Sequence, residues 1–165
     1  MMKAYLDNDI VSAIAKNDKP EEAAALRRLL RAKDDGKVRL VTSELTHTEI
    51  KAYYQGSMRE GLEETFQRFE KVEVVPSDQL IGMQSYGDSR TWICMPMIEK
   101  HPDYKMLREL GVKPIDAEHV FVASRHDCDA FLTCDGRILH HAPDIKKRFG
   151  LVVQRPSGFV VGQGW

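Results

Sequence analysis

The chain of 165 residues lacks any run near the ~18 uninterrupted apolar residues that a membrane-spanning helix requires, so no membrane partner is expected. Cysteine is scarce. Cys94, Cys128 and Cys134 are three in number, odd and without framework spacing, which argues against a disulfide scaffold and for a reducing, cytoplasmic setting. There is no Cys-x-x-Cys pair, and His126, Cys128, Cys134, His140 and His141 are too irregularly spaced to read as a zinc site. Nor is there an excess of one charge: 24 basic against 25 acidic residues leave a net charge of −1. That excludes a strongly basic nucleic-acid coat protein but leaves local phosphate binding open, because a bound strand feels the local field. The segment Met1-Met2-Lys3-Ala4-Tyr5-Leu6-Asp7 reaches an acid without a long apolar stretch or a cleavage site, so no signal peptide is expected. No repeat, no low-complexity tract and no convincing Ser–His or Cys–His arrangement is present.

What is there is an ordinary globular balance, 42% apolar and 30% charged. A chain of this length buries roughly 70% of its extended surface, enough for one core. Lys3–Leu6 reads as a strand, followed by a helix from Asp9 to about Lys16 and a second over Glu21–Ala32. Pro20 stands at the start of that second helix. Val38–Thr42 reads as the second strand. Ser43 is an N-cap for a helix from Glu44 to about Tyr54, and Met58–Lys71 resumes helical spacing. Val72–Val75 is the third strand. The segment Ser77–Pro114 is the least legible, with short helices expected near Asp78–Met83 and Tyr104–Leu110. Ile115 to about His126 reads as helix, Phe131–Thr133 as strand, Pro143–Phe149 as helix and Leu151–Val153 as strand. Residues 1–155 are thus expected to form one domain and residues 156–165 a C-terminal tail. Strands alternating with helices imply an α/β fold of three layers: helices on both faces of a mostly parallel sheet of about five strands. In such sheets ligands gather beyond the carboxyl ends of the strands.

Acids fall at those ends. Asp7 follows the first strand, Asp135 follows the fourth, Asp116 opens the helix between, and Glu49 lies six residues past the Ser43 cap. Singly, each has a plain structural reading: a turn residue, a first-turn acid, a solvated helix residue. Jointly, carboxylates that converge repel one another unless a cation sits among them, and Mg²⁺ or Mn²⁺ prefers such hard oxygen donors. Two ions so held activate water and stabilise the leaving oxygen in phosphodiester cleavage. Asp9, Ser43, His119 and Thr133 are secondary candidates beside these acids. Arg137, Lys146, Lys147 and Arg148 form a basic group suited to RNA phosphates. Asp129 stands at the far end of its strand from Asp135, roughly 20 Å away, and reads as structural.

The segments Tyr5-Leu6-Asp7-Asn8-Asp9, Thr42-Ser43-Glu44-Leu45-Thr46-His47-Thr48-Glu49-Ile50, Asp116-Ala117-Glu118-His119-Val120 and Cys128-Asp129-Ala130-Phe131-Leu132-Thr133-Cys134-Asp135 resemble the four signature blocks of PIN domains, the family that includes the VapC-type ribonuclease toxins. The resemblance runs from residue 5 to about 153. It implies a metal-dependent endoribonuclease using Mg²⁺ or Mn²⁺, with Asp7, Glu49, Asp116 and Asp135 as the acids and Asp7, Asp116 and Asp135 as metal ligands. A toxin of that kind also implies a cognate antitoxin and a homodimer. The chain departs from the family in carrying Asn8 and Asp9 after the first acid, where Thr or Ser and then Asn or a small residue are common, and in a 77–114 segment longer than in compact members. Two other functions fit parts of the pattern. Asp7-Asn8-Asp9 after a strand matches the Asp-x-Asp start of a haloacid-dehalogenase-like phosphatase, which leaves Glu49 without a role. A catalytically inert RNA- or partner-binding domain on the same fold is the third.

Overall fold

The computed structural model describes residues 1–10, 19–44, 46, 69, 71–76, 82–84, 93–95 and 97–165. Its main sheet contains five strands: β1 (Met2–Leu6), β2 (Val38–Ser43), β3 (Glu73–Val75), β6 (Ala130–Leu132) and β7 (Val152–Gln154). The spatial order is β3-β2-β1-β6-β7, and every neighbouring pair is parallel. The α/β architecture expected from the alternation of strands and helices is therefore present, and all five main strands share one direction. A separate antiparallel pair joins β4 (Gly82–Gln84) to β5 (Ile93–Met95).

The helices whose full extent lies among the described residues are α1 (Pro20–Asp34), α2 (Met97–Lys100), α3 (Pro102–Glu109), α4 (Pro114–Arg125), α5 (Gly136–His140), α6 (Ala142–Phe149) and α7 (Pro156–Gln163). α1 shows why these segments are helical. Proline opens it, Glu21 and Glu22 lie in its first turn, Arg31 and Lys33 lie in its last, and both charge placements oppose the helix dipole. Its buried stripe contains Leu26, Leu29 and Leu30, each worth about 1.5–3 kcal/mol when removed from water.

Strand alternation sends successive side chains to opposite faces and divides the core in two. Ala4 and Leu6 pack with α1 and α7 on one face; Tyr5, Val41 and Phe131 pack with α3, α4 and α6 on the other. The chain runs from β1 outward through β2 to β3, then returns to the other side of β1 as β6 and β7. The reversal lies between β1 and β6. Helices return the chain to the amino ends of the strands, so the starts of α1 and α4 stand at the carboxyl edge.

Three expectations change. Residues 156–165 contain helix α7, against α1, instead of a free tail: Phe159 and Val160 are buried, and Trp165 meets Phe159 edge to face at 5.9 Å. Three glycines and a proline lower the local helix propensity, and burial together with a cap from α1 overrides it. That cap is Glu22, whose carboxylate accepts hydrogen bonds from Ser157 N (3.0 Å) and Ser157 Oγ (2.7 Å). Gly82 and Met83, expected at the end of a short helix, lie in β4, where the partner strand supplies the backbone hydrogen bonds. Helix α5 precedes the expected helix α6 between the fourth and fifth strands of the main sheet, over residues 136–140 where no helix was expected, capped by the Asp135 side chain. Most of the helices expected at 9–16, 44–54 and 58–71 lie outside the described residues.

Candidate active site

The strand-order reversal between β1 and β6 is where an open parallel sheet forms a crevice at its carboxyl edge. Asp7 follows β1 directly at this point. Its backbone N–H donates to Leu132 O at 3.0 Å, so the β1–β6 ladder runs one residue beyond the strand and fixes where the side chain starts. The carboxylate is buried. Oδ2 accepts from Thr133 Oγ1 at 2.7 Å, and Oδ1 accepts from Asn8 N at 2.8 Å. Burial pushes the Asp7 carboxyl up to about 6; His119 and the Thr133 hydrogen bond pull it down, and the Asp9 charge adds to the rise.

Thr133 links two of the acids. Its hydroxyl donates to Asp7 and accepts from Asp135 N at 3.0 Å. Asp135 in turn caps α5 through Oδ1, which accepts from Arg137 N at 2.7 Å. Asp116 stands in the first turn of α4, half-buried. Its carboxyl is raised by burial first, then by the nearby charges of Asp135 and Asp9, against the pull of Lys113 and His119. Asp9 thus acts on both Asp7 and Asp116, and Asp135 acts on Asp116. Glu49 lies outside the described residues.

Beneath these acids is a buried polar network. Tyr5 OH donates to Ser43 Oγ at 2.7 Å and lies 2.7 Å from His119 Nδ1. Ser43 Oγ accepts from Thr46 N at 3.4 Å, the N-cap contact its sequence position predicts. Thr42 Oγ1 donates to Leu6 O at 3.0 Å and ties β2 to the last residue of β1. Tyr5, Ser43, Thr46 and His119 are all buried. Burial raises the Tyr5 phenol above its ordinary value, so it stays protonated at neutral pH.

The basic group divides. Arg137 follows Asp135 at the carboxyl edge and is exposed. Lys146, Lys147 and Arg148 occupy the last turn of α6, which leads through Gly150 into the amino end of β7, the opposite edge from Asp135. The Arg148 guanidinium bonds Asp103 at the start of α3. Two further cations, outside the basic group expected to meet RNA, stand near this edge. Lys113 immediately precedes α4 and acts on Asp116, and Lys19 Nζ lies 3.5 Å from Cys134 O. Each precedes a proline-initiated helix, and that was the signal available in the sequence. Asp129 binds Lys3 N at 2.7 Å at the amino end of β6, in line with its structural reading. Cys128 and Cys134 are buried free thiols, pushed up to about 11 by burial. Trp165 packs on Phe159, and Trp92 lies outside the described residues.

No family model matches the chain, and no curated protein matches it.

A divalent metal, which the sequence resemblance implies, fits this edge in donor chemistry. The side chains offered are carboxylates, and Asn8 Oδ1 is buried beside Asp7 with no hydrogen-bond donor among the described residues. Among the described residues no three His, Cys, Asp or Glu side chains come together as a complete ligand set.

Proposed function

We propose that the chain is a PIN-like, metal-dependent endoribonuclease whose reaction takes place at the carboxyl edge between β1 and β6. The observation that carries this reading is the Thr133 bridge. One hydroxyl, 2.7 Å from Asp7 Oδ2 and 3.0 Å from Asp135 N, ties the carboxylate after β1 to the backbone of the acid after β6, while Asp116, at the start of α4, is raised by burial first and then by the charges of Asp135 and Asp9. Negative charges that act on one carboxylate make a field that favours a cation.

Asp7, Asp116 and Asp135 would hold Mg²⁺ or Mn²⁺, with Glu49 as the fourth acid. Bound there, such an ion supplies charge neutralisation at the phosphate and activation of water. Thr133 aims the Asp7 carboxylate. Lys113 and Arg137 attract the RNA backbone at the margin of the acidic patch. Phosphoryl transfer needs positioning and charge neutralisation more than a covalent nucleophile, which suits an edge built from acids and flanking cations. A role as the toxin of a toxin–antitoxin pair, with an antitoxin and a second copy of the chain as partners, is part of the same reading.

The test is cleavage of defined RNAs by wild type and Asp7→Asn, with Mn²⁺ or with EDTA. Cleavage by wild type in Mn²⁺ alone, reduced at least a hundredfold in Asp7→Asn, supports the nuclease. Cleavage that survives EDTA, or that Asp7→Asn retains, overturns it. A Glu49→Gln variant separates the enzyme classes: a nuclease loses nearly all activity and a phosphatase is indifferent.

A further inference from the structure

The buried network beneath the acids has a geometry that ordinary packing does not require. Along β1, side chains two residues apart lie on the same face, so Tyr5 sits one rung below Asp7. Along α4, residues three apart lie on one side, so His119 sits one turn from Asp116. The lower pair is joined directly: Tyr5 OH and His119 Nδ1 are 2.7 Å apart, and both side chains are buried. With the phenol proton donated to Ser43 Oγ, the ring donates to the phenol oxygen from Nδ1. Ser43 carries the connection to Thr46, three residues before Glu49 in the sequence.

We propose that Tyr5 and His119 are positioning residues, and that the hydrogen bond between them sets the separation of Asp7 from Asp116. The apolar contacts between α4 and the sheet, through Ala117, Val120 and Phe121, are non-directional and do not by themselves fix the helix against a small slide along β1. A hydrogen bond between buried groups fixes it, because a slide of an ångström leaves two polar atoms unpaired in the core. The Tyr5 ring is already held by parallel stacking on Phe131 at 5.3 Å. Its hydroxyl is therefore a fixed reference point to which α4 is tied, and the helix delivers Asp116 to the edge where Asp7 stands. Groups that orient metal ligands in this manner are commonly worth tenfold to a hundredfold in affinity or rate.

This inference rests on the nuclease reading, and its test separates the two. Tyr5→Phe keeps the ring and its stacking and removes only the hydroxyl. His119→Asn places an amide near the position of Nδ1, His119→Gln places one near Nε2, and His119→Leu keeps bulk alone. For each folded variant, kcat and KM on one RNA are measured together with Mn²⁺ affinity by calorimetry. The expected result is a fall of about tenfold or more in kcat and in Mn²⁺ affinity for Tyr5→Phe and His119→Leu. KM is expected to change less than twofold, and His119→Asn to recover most of the loss while His119→Gln does not. Lowered melting temperatures with wild-type kcat and wild-type Mn²⁺ affinity overturn the positioning role and leave the nuclease reading standing. Should Tyr5→Phe or His119→Leu fail to fold, the Asn and Gln variants decide, and equal kcat in those two overturns the role. Absence of Mn²⁺-dependent cleavage by wild type overturns the nuclease reading and this inference with it.

Discussion

Asp7 is a carboxylate held out of water at the end of a central strand, and its titration follows from that position. With its pKa raised to about 6, mainly by burial, the native state holds a proton that the unfolded chain has already released. Between the unfolded value near 4 and about 6 the native state binds more protons, so stability falls as pH rises through that window. The loss amounts to about 3 kcal/mol. Asp7→Asn removes the cost. In metal-free buffer at pH 7.5 it should raise the melting temperature by several degrees, at about 2–4 °C per kcal/mol, and the gain should shrink toward pH 4. Differential scanning calorimetry across that range checks the sign. On the nuclease reading, addition of Mn²⁺ at pH 7.5 should reverse the order, raising the melting temperature of wild type more than that of Asp7→Asn, which lacks one of the three carboxylates proposed as ligands.

At the scale of the element, α7 depends on α1 for its first turn. Glu22 is buried and accepts from both the N–H and the hydroxyl of Ser157, with Arg155 Nη1 at 3.8 Å. Removing the carboxylate leaves two partly buried donors unpaired, at a cost of about 1–3 kcal/mol. Glu22→Ala should lower the melting temperature by several degrees and speed hydrogen exchange over residues 157–163 more than over β1. Exchange that quickens equally in both segments would show that α7 does not open as a separate unit. The Thr133 bridge acts at the same scale, because it couples β6 to β1 through one hydroxyl. On the nuclease reading, Thr133→Val, which keeps the shape, should reduce Mn²⁺-dependent cleavage by about tenfold with little change in the far-ultraviolet circular dichroism.

For the whole molecule, the last ten residues belong to the body of the fold. Phe159 and Val160 complete the core between α1 and the sheet, and Trp165 lies against them. A chain ending at residue 155 loses a buried phenylalanine, worth about 3–5 kcal/mol by itself, and takes from Glu22 both of its Ser157 donors. It should melt at least 10 °C below the full chain or fail to accumulate as folded protein, as thermal unfolding of the two purified forms would show. The acidic edge and the core on the α1 face are in this sense one structure, since α1 begins beside the site at Lys19 and closes the core at Leu29 and Leu30.

The strands of the main sheet and helix α1 were legible because period and composition act locally. The β-branched run Val38–Thr42, the apolar Phe131-Leu132 and the alanine- and leucine-rich Glu21–Ala32 each bury one face whatever surrounds them, and each is found within one or two residues of its expected bounds. The positions of Asp7, Asp116 and Asp135 at strand ends and a helix start were legible for a related reason: each follows or opens an element whose pattern is local. The Tyr5–His119 contact spans 114 positions and the Glu22–Ser157 cap spans 135, and no local pattern encodes such pairings. The same holds for α7, whose glycines argue against a helix until Phe159 and Val160 have a core to enter. The sequence by itself determined the layers and which acids stand at their edge. The tertiary structure alone decided which basic residues stand near those acids, that the final residues are core, and that a buried phenol and an imidazole meet beneath Asp7, because each depends on contacts between segments far apart in the chain.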